Sequence, residues 1–395
     1  MPQESGRRWD RARKTEQMKA KLLGMTPEEL KAVAKDCGLP SYAAGQLAKW
    51  MYVKRVHSFA EMTDISRAGR EALAEKYELG LIEPVAVAES SDGTRKYLFP
   101  VTAVVGRRRE EMATSDGLKK NGSEAPVTRP EPQLRTEDSA VEAVMIPDDD
   151  RCTLCVSSQA GCRMGCHFCM TGRQGFHGQL SAADILSQFI AIEESARLTN
   201  TVFMGMGEPL DNYDSVSRVI TVLTAPWGFG WSPKRVTVST VGVIPVLKRF
   251  LDESRCHLAV SLHNPFPEER ASMMPVQKAY PIADVIRLLK QYDFSGQRRV
   301  SFEYTMFAGF NDSKRHEDAL MRLLKGLECR VNLIRFHKIP DFPYESTALP
   351  LMENFRDRLS AHGITCTIRA SRGEDILAAC GMLAGKHKEK ENTKD

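Results

Sequence analysis

The chain has 395 residues, of which 42% are hydrophobic and 27% are charged, and its net charge is +4. This length predicts one large domain and a smaller one, each with its own core. The N-terminal sequence has no continuous apolar stretch, so we expect neither a signal peptide nor a membrane span, and a cytoplasmic location. In a reducing compartment, ten cysteines favour metal ligation or thiol chemistry over structural disulfides.

The N-terminal part combines a basic arm with helical segments. Residues 1–21 contain seven Arg or Lys and three acidic residues, so this stretch alone carries a charge of +4. We expect residues 1–22 to form a disordered basic arm, which can attract a polyanion such as RNA but is also typical of a merely solvated tail. Thr26 and Glu29, with a proline between them, have the order of a helix start. The apolar spacing beyond them predicts a small helical domain over residues 23–80.

The amino-acid composition changes after residue 80 and again after residue 105. The runs PVAVAES and TRKYLFP flank a Ser-Asp-Gly turn and predict a β-hairpin linker over residues 81–105. Residues 106–140 are rich in charge, Gly, Pro and Ser and nearly free of large apolar side chains. This composition predicts a disordered insertion. Residues 386–395 form a second charged segment, which we interpret as a tail.

Residues 141–385 alternate short β-branched runs with helical stretches. Such alternation predicts an α/β fold with a parallel sheet and helical crossovers. Ser181 and Asp184 have the spacing of a helix cap. A count of about six strands favours a partial (β/α)6 TIM-like barrel, with polar residues after each strand at the rim where barrels build active sites. The runs are TLCVSS, NTVFMGM, RVTVST, HLAVSLH, RVSFEYTM, RVNLIRF and TCTIRA.

A cysteine cluster follows the first of these strands. Three of its thiols have the spacing C-x-x-x-C-x-x-C, namely Cys162, Cys166 and Cys169. Three thiolates can hold a [4Fe–4S] cluster and leave one iron open to another ligand. The alternative is a zinc site completed by Cys152, Cys155 or His167, because four N or S ligands close a tetrahedron. The spacing alone does not decide between the two metals.

An aromatic residue, Phe168, precedes the last cysteine, and the motif then resembles that of the radical S-adenosylmethionine (SAM) superfamily. Six segments in this order resemble the RlmN family of dual-specificity RNA adenine methyltransferases within that superfamily. They are TLCVSSQAGCRMGCHFCMTGRQGF, VFMGMGEPL, VTVSTVGVIP, LAVSLHNPF, VNLIRFH and RASRGEDILAACGMLAG. The resemblance extends from about Val141 to Gly385 and, more loosely, over the N-terminal helices. It implies a barrel of the radical SAM type.

The resemblance also implies the cofactors and the residues that hold them. The three motif cysteines would bind a [4Fe–4S] cluster, whose open iron would chelate SAM. One position departs from the family pattern, since His337 stands where Asn is common. A carboxylate suits the ammonium of SAM, and small residues allow a close backbone approach. The residues that match SAM contacts are Gly207, Glu208, Ser239, Ser261, Leu262, His263 and His337.

Three further residues match catalytic positions of the family. Cys380 matches the thiol that SAM first methylates, giving S-methylcysteine, after which a 5′-deoxyadenosyl radical would activate that methyl group. Two SAM molecules would be consumed per turnover. Cys155 matches the thiol that resolves the resulting enzyme–RNA thioether, and Glu142 matches the proton acceptor. Without the resemblance, Cys380 would be interpreted as a packing residue and Glu142 as a solvated strand residue.

The resemblance implies methylation of carbon 2 of adenine 2503 in 23S rRNA and of adenine 37 in some tRNAs. The helical domain and the basic arm would then hold RNA, with the target base flipped toward the cluster. An electron donor such as flavodoxin would be the protein partner, and no membrane is implied. Two alternatives stay open at this point. One is a Cfr-like carbon-8 methyltransferase, although RASRGEDILAACGML and IPDDDRCTLC look more like RlmN, and the other is a zinc-stabilised RNA-binding protein.

Overall fold

The computed structural model describes residues 19–105, 135–296 and 298–384. Most of the predicted arm, most of the predicted insertion and the predicted charged tail lie outside the described residues, at 1–18, 106–134 and 386–395. The described chain forms a helical N-terminal unit, an antiparallel hairpin with a third long strand, and a parallel sheet covered by helices.

The N-terminal unit is helical, as predicted. Thr26 caps its first helix: the Thr26 Oγ1 atom accepts from the Glu29 N–H at 3.3 Å, and the Glu29 carboxylate accepts from the Thr26 N–H at 2.7 Å. This reciprocal pair confirms the predicted helix start. The elements are β1 (Ala20–Lys21), α1 (Pro27–Asp36), α2 (Ala43–Ala48), a π-helical turn (Lys49–Val53), a 3-10 turn (Phe59–Glu61), α3 (Arg67–Lys76) and β2 (Tyr77–Glu78).

The predicted boundary of the disordered arm, residues 1–22, is wrong at its C-terminal end. Strand β1 pairs in parallel with β2, and Leu22 is fully buried. The Leu22 N–H donates to the Glu78 carbonyl at 2.9 Å. Burial of an apolar side chain and pairing of the backbone stabilise this strand despite the charged residues that precede it.

The predicted hairpin is present, and a third long strand pairs with it. Strands β3 (Ala86–Glu89) and β4 (Arg95–Val105) are antiparallel, and β4 pairs along its whole length with β5 (Arg135–Asp148). Gly93 at the hairpin turn has φ +81°, a conformation that favours glycine. Residues 135–140 therefore belong to a strand, and their assignment to the disordered insertion of residues 106–140 is wrong. Backbone hydrogen bonds to β4 satisfy this polar stretch without requiring apolar side chains.

The remaining elements build a βα-repeat in which each strand of the parallel sheet lies beside the preceding parallel strand, while two short strands pair outside this order. In chain order they are β6 (Arg151–Cys155), β7 (Gln159–Gly161), α4 (Met170–Arg173), β8 (Phe176–Gln179), α5 (Ala182–Ile190), β9 (Asn200–Phe203), α6 (Tyr213–Thr224), β10 (Val236–Thr240), α7 (Ile244–Glu253), β11 (His257–Ser261), α8 (Pro267–Met273), α9 (Ile282–Leu289), β12 (Val300–Met306), α10 (Lys314–Leu324), β13 (Arg330–Arg335), α11 (Leu349–Ala361) and β14 (Thr365–Ile368). The predicted cap of α5 is confirmed, because Ser181 and Asp184 exchange side chain to backbone hydrogen bonds.

The main sheet confirms the α/β fold of the barrel type. Strands β6, β9, β10, β11, β12, β13 and β14 pair in parallel in that order. This gives seven parallel strands among the described residues, one in each of the seven runs, where the sequence analysis counted about six. The β-branched and aromatic side chains of these strands are buried under the helices. Since the strands are parallel, their carboxyl ends meet at one rim.

The N-terminal unit packs directly on the barrel. The Tyr52 and Trp227 rings lie 5.6 Å apart, and the Arg218 guanidinium pairs with the Glu29 carboxylate at 2.6 Å. The buried apolar side chains of the two parts form one continuous cluster. Among the helices of the described ranges, none has both the length and the apolar character that a bilayer span requires.

Candidate active site

A cavity opens at the carboxyl ends of the parallel strands, and we call it the strand-end cavity. Side chains from the cysteine loop (residues 162–169), from the segments after β9, β10 and β11, and from the far C-terminal residues line it. Residues that the sequence assigned to different motifs therefore meet at one place. The predicted site residues that line this cavity are Cys162, Cys166, Cys169, Gly207, Glu208, Ser239, Ser261, His263 and Cys380.

The cysteine loop is held by its backbone between β7 and α4. The Cys162 N–H donates to the Gly175 carbonyl at 2.7 Å, and the His167 N–H donates to the Met273 carbonyl at 2.9 Å. Gly161 has φ +69°, and a Cβ atom at this position would lie 2.0 Å from the Gly175 carbonyl oxygen. Only glycine fits this close approach, which fixes the direction in which the loop leaves the strand.

The thiols of this loop are buried in a way that favours binding to a cation. Burial raises the pKa of the Cys166 thiol to about 12, and the charge of Arg270 opposes that change. Arg270 is itself fully buried and donates to the carbonyls of Leu262 and Ser261 at 3.0 and 2.9 Å. Buried thiols become ligands only as thiolates, so a positively charged metal centre is the group that would stabilise them here.

The three motif cysteines share one cavity. Cys162, Cys166 and Cys169 all line the strand-end cavity. A [4Fe–4S] cluster takes its thiolates on separate irons, so three thiols of one loop can hold three of its four irons. The residues present therefore fit a [4Fe–4S] cluster with one iron open to another ligand.

Glu208 provides a buried carboxylate across the strand-end cavity. Its oxygens accept hydrogen bonds from the Val241 N–H at 2.9 Å and from the Leu210 N–H at 3.0 Å. Burial nevertheless raises the pKa of the Glu208 carboxyl to about 7. The preceding Gly207 has φ +100°, and a Cβ atom there would lie 2.5 Å from the Gln159 Cβ atom. The glycine thus lets the chain turn so that the carboxylate faces the cavity.

The remaining predicted SAM contacts divide into two groups. The His263 ring lines the strand-end cavity, where its Nδ1 atom accepts from the Thr305 N–H at 2.9 Å and burial lowers its pKa to about 3. This imidazole is therefore neutral. Leu262 is fully buried and does not line the cavity. His337, the residue that departs from the family pattern, also lies outside the lining, with its Nε2 atom 3.0 Å from the Ser371 hydroxyl.

Cys380 lies on the C-terminal segment, residues 371–384, which follows β14. Backbone carbonyls anchor this segment to α4: the Gly381 carbonyl accepts from the Met170 N–H, and the Leu383 carbonyl accepts from the Thr171 hydroxyl, both at 2.8 Å. The Cys380 side chain is exposed and faces the strand-end cavity. The thiol is thus presented to the cavity by contacts that do not involve its own side chain.

A second, smaller cavity is lined by three thiols, and we call it the thiol cavity. Cys155, at the end of β6, lines it together with Cys169, Arg369 and Cys380. Burial raises the pKa of the Cys155 thiol to about 12, the nearby Cys380 adds to this, and Arg369 opposes it. The pKa of the Arg369 guanidinium is raised, first of all by Cys380. One guanidinium therefore lies beside the thiols of Cys155 and Cys380.

Glu142 lies behind the C-terminal segment and does not line either cavity. It is a β5 residue whose side chain is 3% exposed. One carboxylate oxygen pairs with the Lys96 ammonium at 2.9 Å, and the other accepts from the Ala384 N–H at 2.7 Å. The structure therefore brings this carboxylate to the segment that carries Cys380.

Sequence reasoning missed several polar residues of the cavities. Arg369 borders both cavities, while Glu303 and Thr305 of β12 line the larger one. The Glu303 carboxylate lies 3.5 Å from the Arg369 guanidinium and accepts from Asn332 at 2.8 Å. A charged residue inside an apolar strand run, as in SFEYTM, is the signal that could have identified Glu303.

The barrel and the cysteine loop at its rim define a radical SAM protein. Residues 156–321 match the model of the radical SAM superfamily, and residues 20–79 match the ribosomal RNA large subunit methyltransferase N-terminal domain. The crystal structure of a radical SAM methyltransferase from Sphaerobacter thermophilus is similar to this chain with a TM-score of 0.80 at 35% identity, covering 93% of this chain and 100% of that one. Membership of the superfamily implies a [4Fe–4S] cluster and SAM.

More specific matches come from curated relatives. A probable dual-specificity RNA methyltransferase RlmN of Porphyromonas gingivalis is 55% identical over 92% of this chain and 96% of its own length. The dual-specificity RNA methyltransferase RlmN of Syntrophus aciditrophicus is 37% identical over 92% of this chain and 95% of its own length. The chain belongs to the RlmN family of radical SAM methyltransferases.

We expect the affinity of the reconstituted protein for SAM to fall about tenfold as the pH is lowered from about 8 to about 6. The pKa of Glu208 is raised to about 7, so this carboxylate is ionised above that pH and protonated below it, and only the ionised form pairs with an ammonium. Anaerobic titration calorimetry at three pH values measures the effect. Glu208→Gln serves as the control, with weak affinity at every pH, and an equally steep pH dependence in this variant would contradict the assignment.

Proposed function

We propose that this protein methylates carbon 2 of adenine 2503 in 23S rRNA and of adenine 37 in some tRNAs. The observation that carries the proposal is the meeting of Cys155, Cys169 and Cys380 at the thiol cavity. The second thiol and the cluster ligand come from one short stretch of the chain, and the methyl acceptor comes from its far C-terminal part. A binding protein with a structural metal has no need for two further thiols at the same place.

Cys380 is the methyl acceptor in this proposal. Its exposed thiol faces the strand-end cavity beside Arg369, so it attacks the methyl group of a first SAM molecule and becomes S-methylcysteine. When bound, the cluster and a second SAM molecule supply the radical that activates this methyl group. The barrel interior, lined by buried residues such as Phe203 and Phe336 on the cavity side, keeps water from the reacting carbon.

Two other side chains complete the cycle. The activated methyl carbon bonds to carbon 2 of the adenine, which joins the RNA to Cys380 and leaves one unpaired electron on the ring. The oxidised cluster, when bound, would take up that electron, and Glu142 accepts the proton of carbon 2, so that the adduct is a closed-shell thioether. The Cys155 thiolate then attacks the Cys380 sulfur and breaks the sulfur–carbon bond. The electron pair of that bond stays with the carbon, which takes up a proton to complete the methyl group, and the disulfide that remains is reopened by a cellular reductant.

The RNA is held outside the barrel in this proposal. The match of residues 20–79 to a ribosomal RNA methyltransferase N-terminal domain supports a role of the helical unit in RNA binding. Its exposed basic side chains include Lys35, Lys49 and Lys54, and such residues bind phosphates without reading the base sequence. A flavodoxin-type protein is the proposed electron donor.

The test is mass spectrometry of RNA nucleosides after anaerobic incubation. The reconstituted protein is supplied with methyl-deuterated SAM, a reductant and an unmodified fragment of 23S rRNA. We expect labelled 2-methyladenosine whose methyl group has one deuterium fewer than the donor, because the radical removes one. Labelled 8-methyladenosine would replace the proposal with a Cfr-like activity, and an intact cluster without any labelled adenosine would refute an adenine substrate.

A further inference from the structure

The hairpin of β3 and β4 holds the segment that carries the methyl acceptor. At the hairpin turn, the Ser91 N–H donates to the Asp375 carboxylate at 3.1 Å, and the Asp92 carboxylate accepts from the Gly373 N–H at 3.0 Å. Ser90 adds a hydroxyl that donates to Asp375 at 2.5 Å. The hairpin was predicted as a linker, but these contacts make it a docking surface for the C-terminal segment.

Further along the hairpin, Lys96 contacts the chain before Cys380 directly and the chain after Cys380 through Glu142. The Lys96 ammonium lies 3.4 Å from the Leu377 carbonyl and 2.9 Å from the Glu142 carboxylate. The same carboxylate accepts from the Ala384 N–H at 2.7 Å. Lys96 and Glu142 together therefore hold residues 377 and 384, which flank Cys380 in the sequence.

The two charges of this pair depend on each other. The Lys96 and Glu142 side chains are 14% and 3% exposed. A carboxylate this buried is unfavourable unless a cation and hydrogen bonds compensate it. Loss of the ammonium would remove the Lys96 contacts to both the Glu142 carboxylate and the Leu377 carbonyl, so this side chain would no longer hold either group at the segment.

We propose that Lys96 is a positioning residue that fixes the Cys380 segment and orients the Glu142 carboxylate toward that segment. This inference rests on the proposed function, because it assigns Lys96 a role in the release half of that reaction. The contacts act at a distance from the reacting atoms, through the backbone of residues 377 and 384 and through Glu142. A misplacement of about 1 Å at such a site costs on the order of a hundredfold in rate.

The experiment compares Lys96→Met with Lys96→Arg in the reconstituted full chain. We expect Lys96→Met to retain its visible iron–sulfur absorption, to form 2-methyladenosine about tenfold to a hundredfold more slowly, and to accumulate covalent protein–RNA adduct in a single turnover. Lys96→Arg keeps the cation and is expected to restore most product and to remove the excess adduct. Lys248→Met is the matched control, because Lys248 pairs with an exposed carboxylate, Asp252, far from the site.

Two results would overturn the role of Lys96. One is a Lys96→Met protein with the product rate of the control, and the other is a slow variant with an intact cluster and no excess adduct. If Lys96→Met does not fold, Lys96→Gln, which retains a donor without the charge, is measured against the same criteria. Failure of the proposed function is recognised separately, because the unmodified protein would then give neither adduct nor 2-methyladenosine.

Discussion

Replacement of Cys380 by alanine is expected to abolish methylation of RNA while the protein keeps its cluster. The acceptor thiol is exposed to the cavity, and the C-terminal segment is anchored by the backbone around it, at Gly381 and Leu383. Removal of the side chain therefore leaves the segment in place. Loss of a nucleophile that forms a covalent intermediate lowers turnover by at least about a thousandfold.

Visible absorption and iron content report the cluster in Cys380→Ala, and nucleoside mass spectrometry reports the product. The mass of the peptide that contains residue 380 shows the S-methyl group in the unmodified protein and its absence in the variant. Cys37→Ala is a suitable control, since Cys37 caps α1 in the N-terminal unit and lines neither cavity. Equal activity of Cys380→Ala and this control would refute the two-thiol mechanism.

Replacement of Cys155 by alanine is expected to stop the reaction at a later step than replacement of Cys380, after the methyl carbon has bonded to the adenine. Cys155 lines the thiol cavity with Cys380, and in the proposed function it is the thiol that breaks the bond between Cys380 and the RNA. Without it, the methyl group still reaches the adenine, but the product stays attached to the protein. We expect at most one equivalent of RNA to be bound covalently and multiple turnover to be lost.

Denaturing gel electrophoresis and intact mass measurement detect this adduct. Cys152→Ala is the matched control, because Cys152 is a buried cysteine on the same strand and lines neither cavity. Product release by Cys155→Ala at the rate of Cys152→Ala would show that another group resolves the thioether. Adduct in both variants would contradict the prediction that Cys155, which lines the thiol cavity, resolves the thioether and that Cys152 does not.

Local sequence signals predicted the parts of the site that lie within one loop or strand end. The spacing of Cys162, Cys166 and Cys169 describes a loop that the backbone itself shapes, and Glu208 lies in the short segment after β9. The helix caps at Thr26 and Ser181 were equally local. In such cases the interacting groups are a few residues apart, so their pattern is visible in the chain.

Contacts between segments that are distant in the sequence could not be predicted from such local patterns. Lys96 and Glu142 lie on paired strands, yet nothing in TRKYLFP distinguishes a lysine that reaches a buried carboxylate from one that points to solvent. Arg369 meets Cys155 only because β14 and β6 belong to one barrel. The polar residues 135–140 form a strand because β4 supplies their backbone partners, which composition does not show.

The strict chain order of the parallel strands has a consequence for synthesis on the ribosome. Among these strands, β6 is made first and is followed by the cysteine loop, and residue 380 follows β14. A chain that stopped before residue 380 would therefore contain its motif cysteines and strand ends without the thiol that is the proposed methyl acceptor. In the proposed function, such a shortened chain would be incapable of methylating RNA.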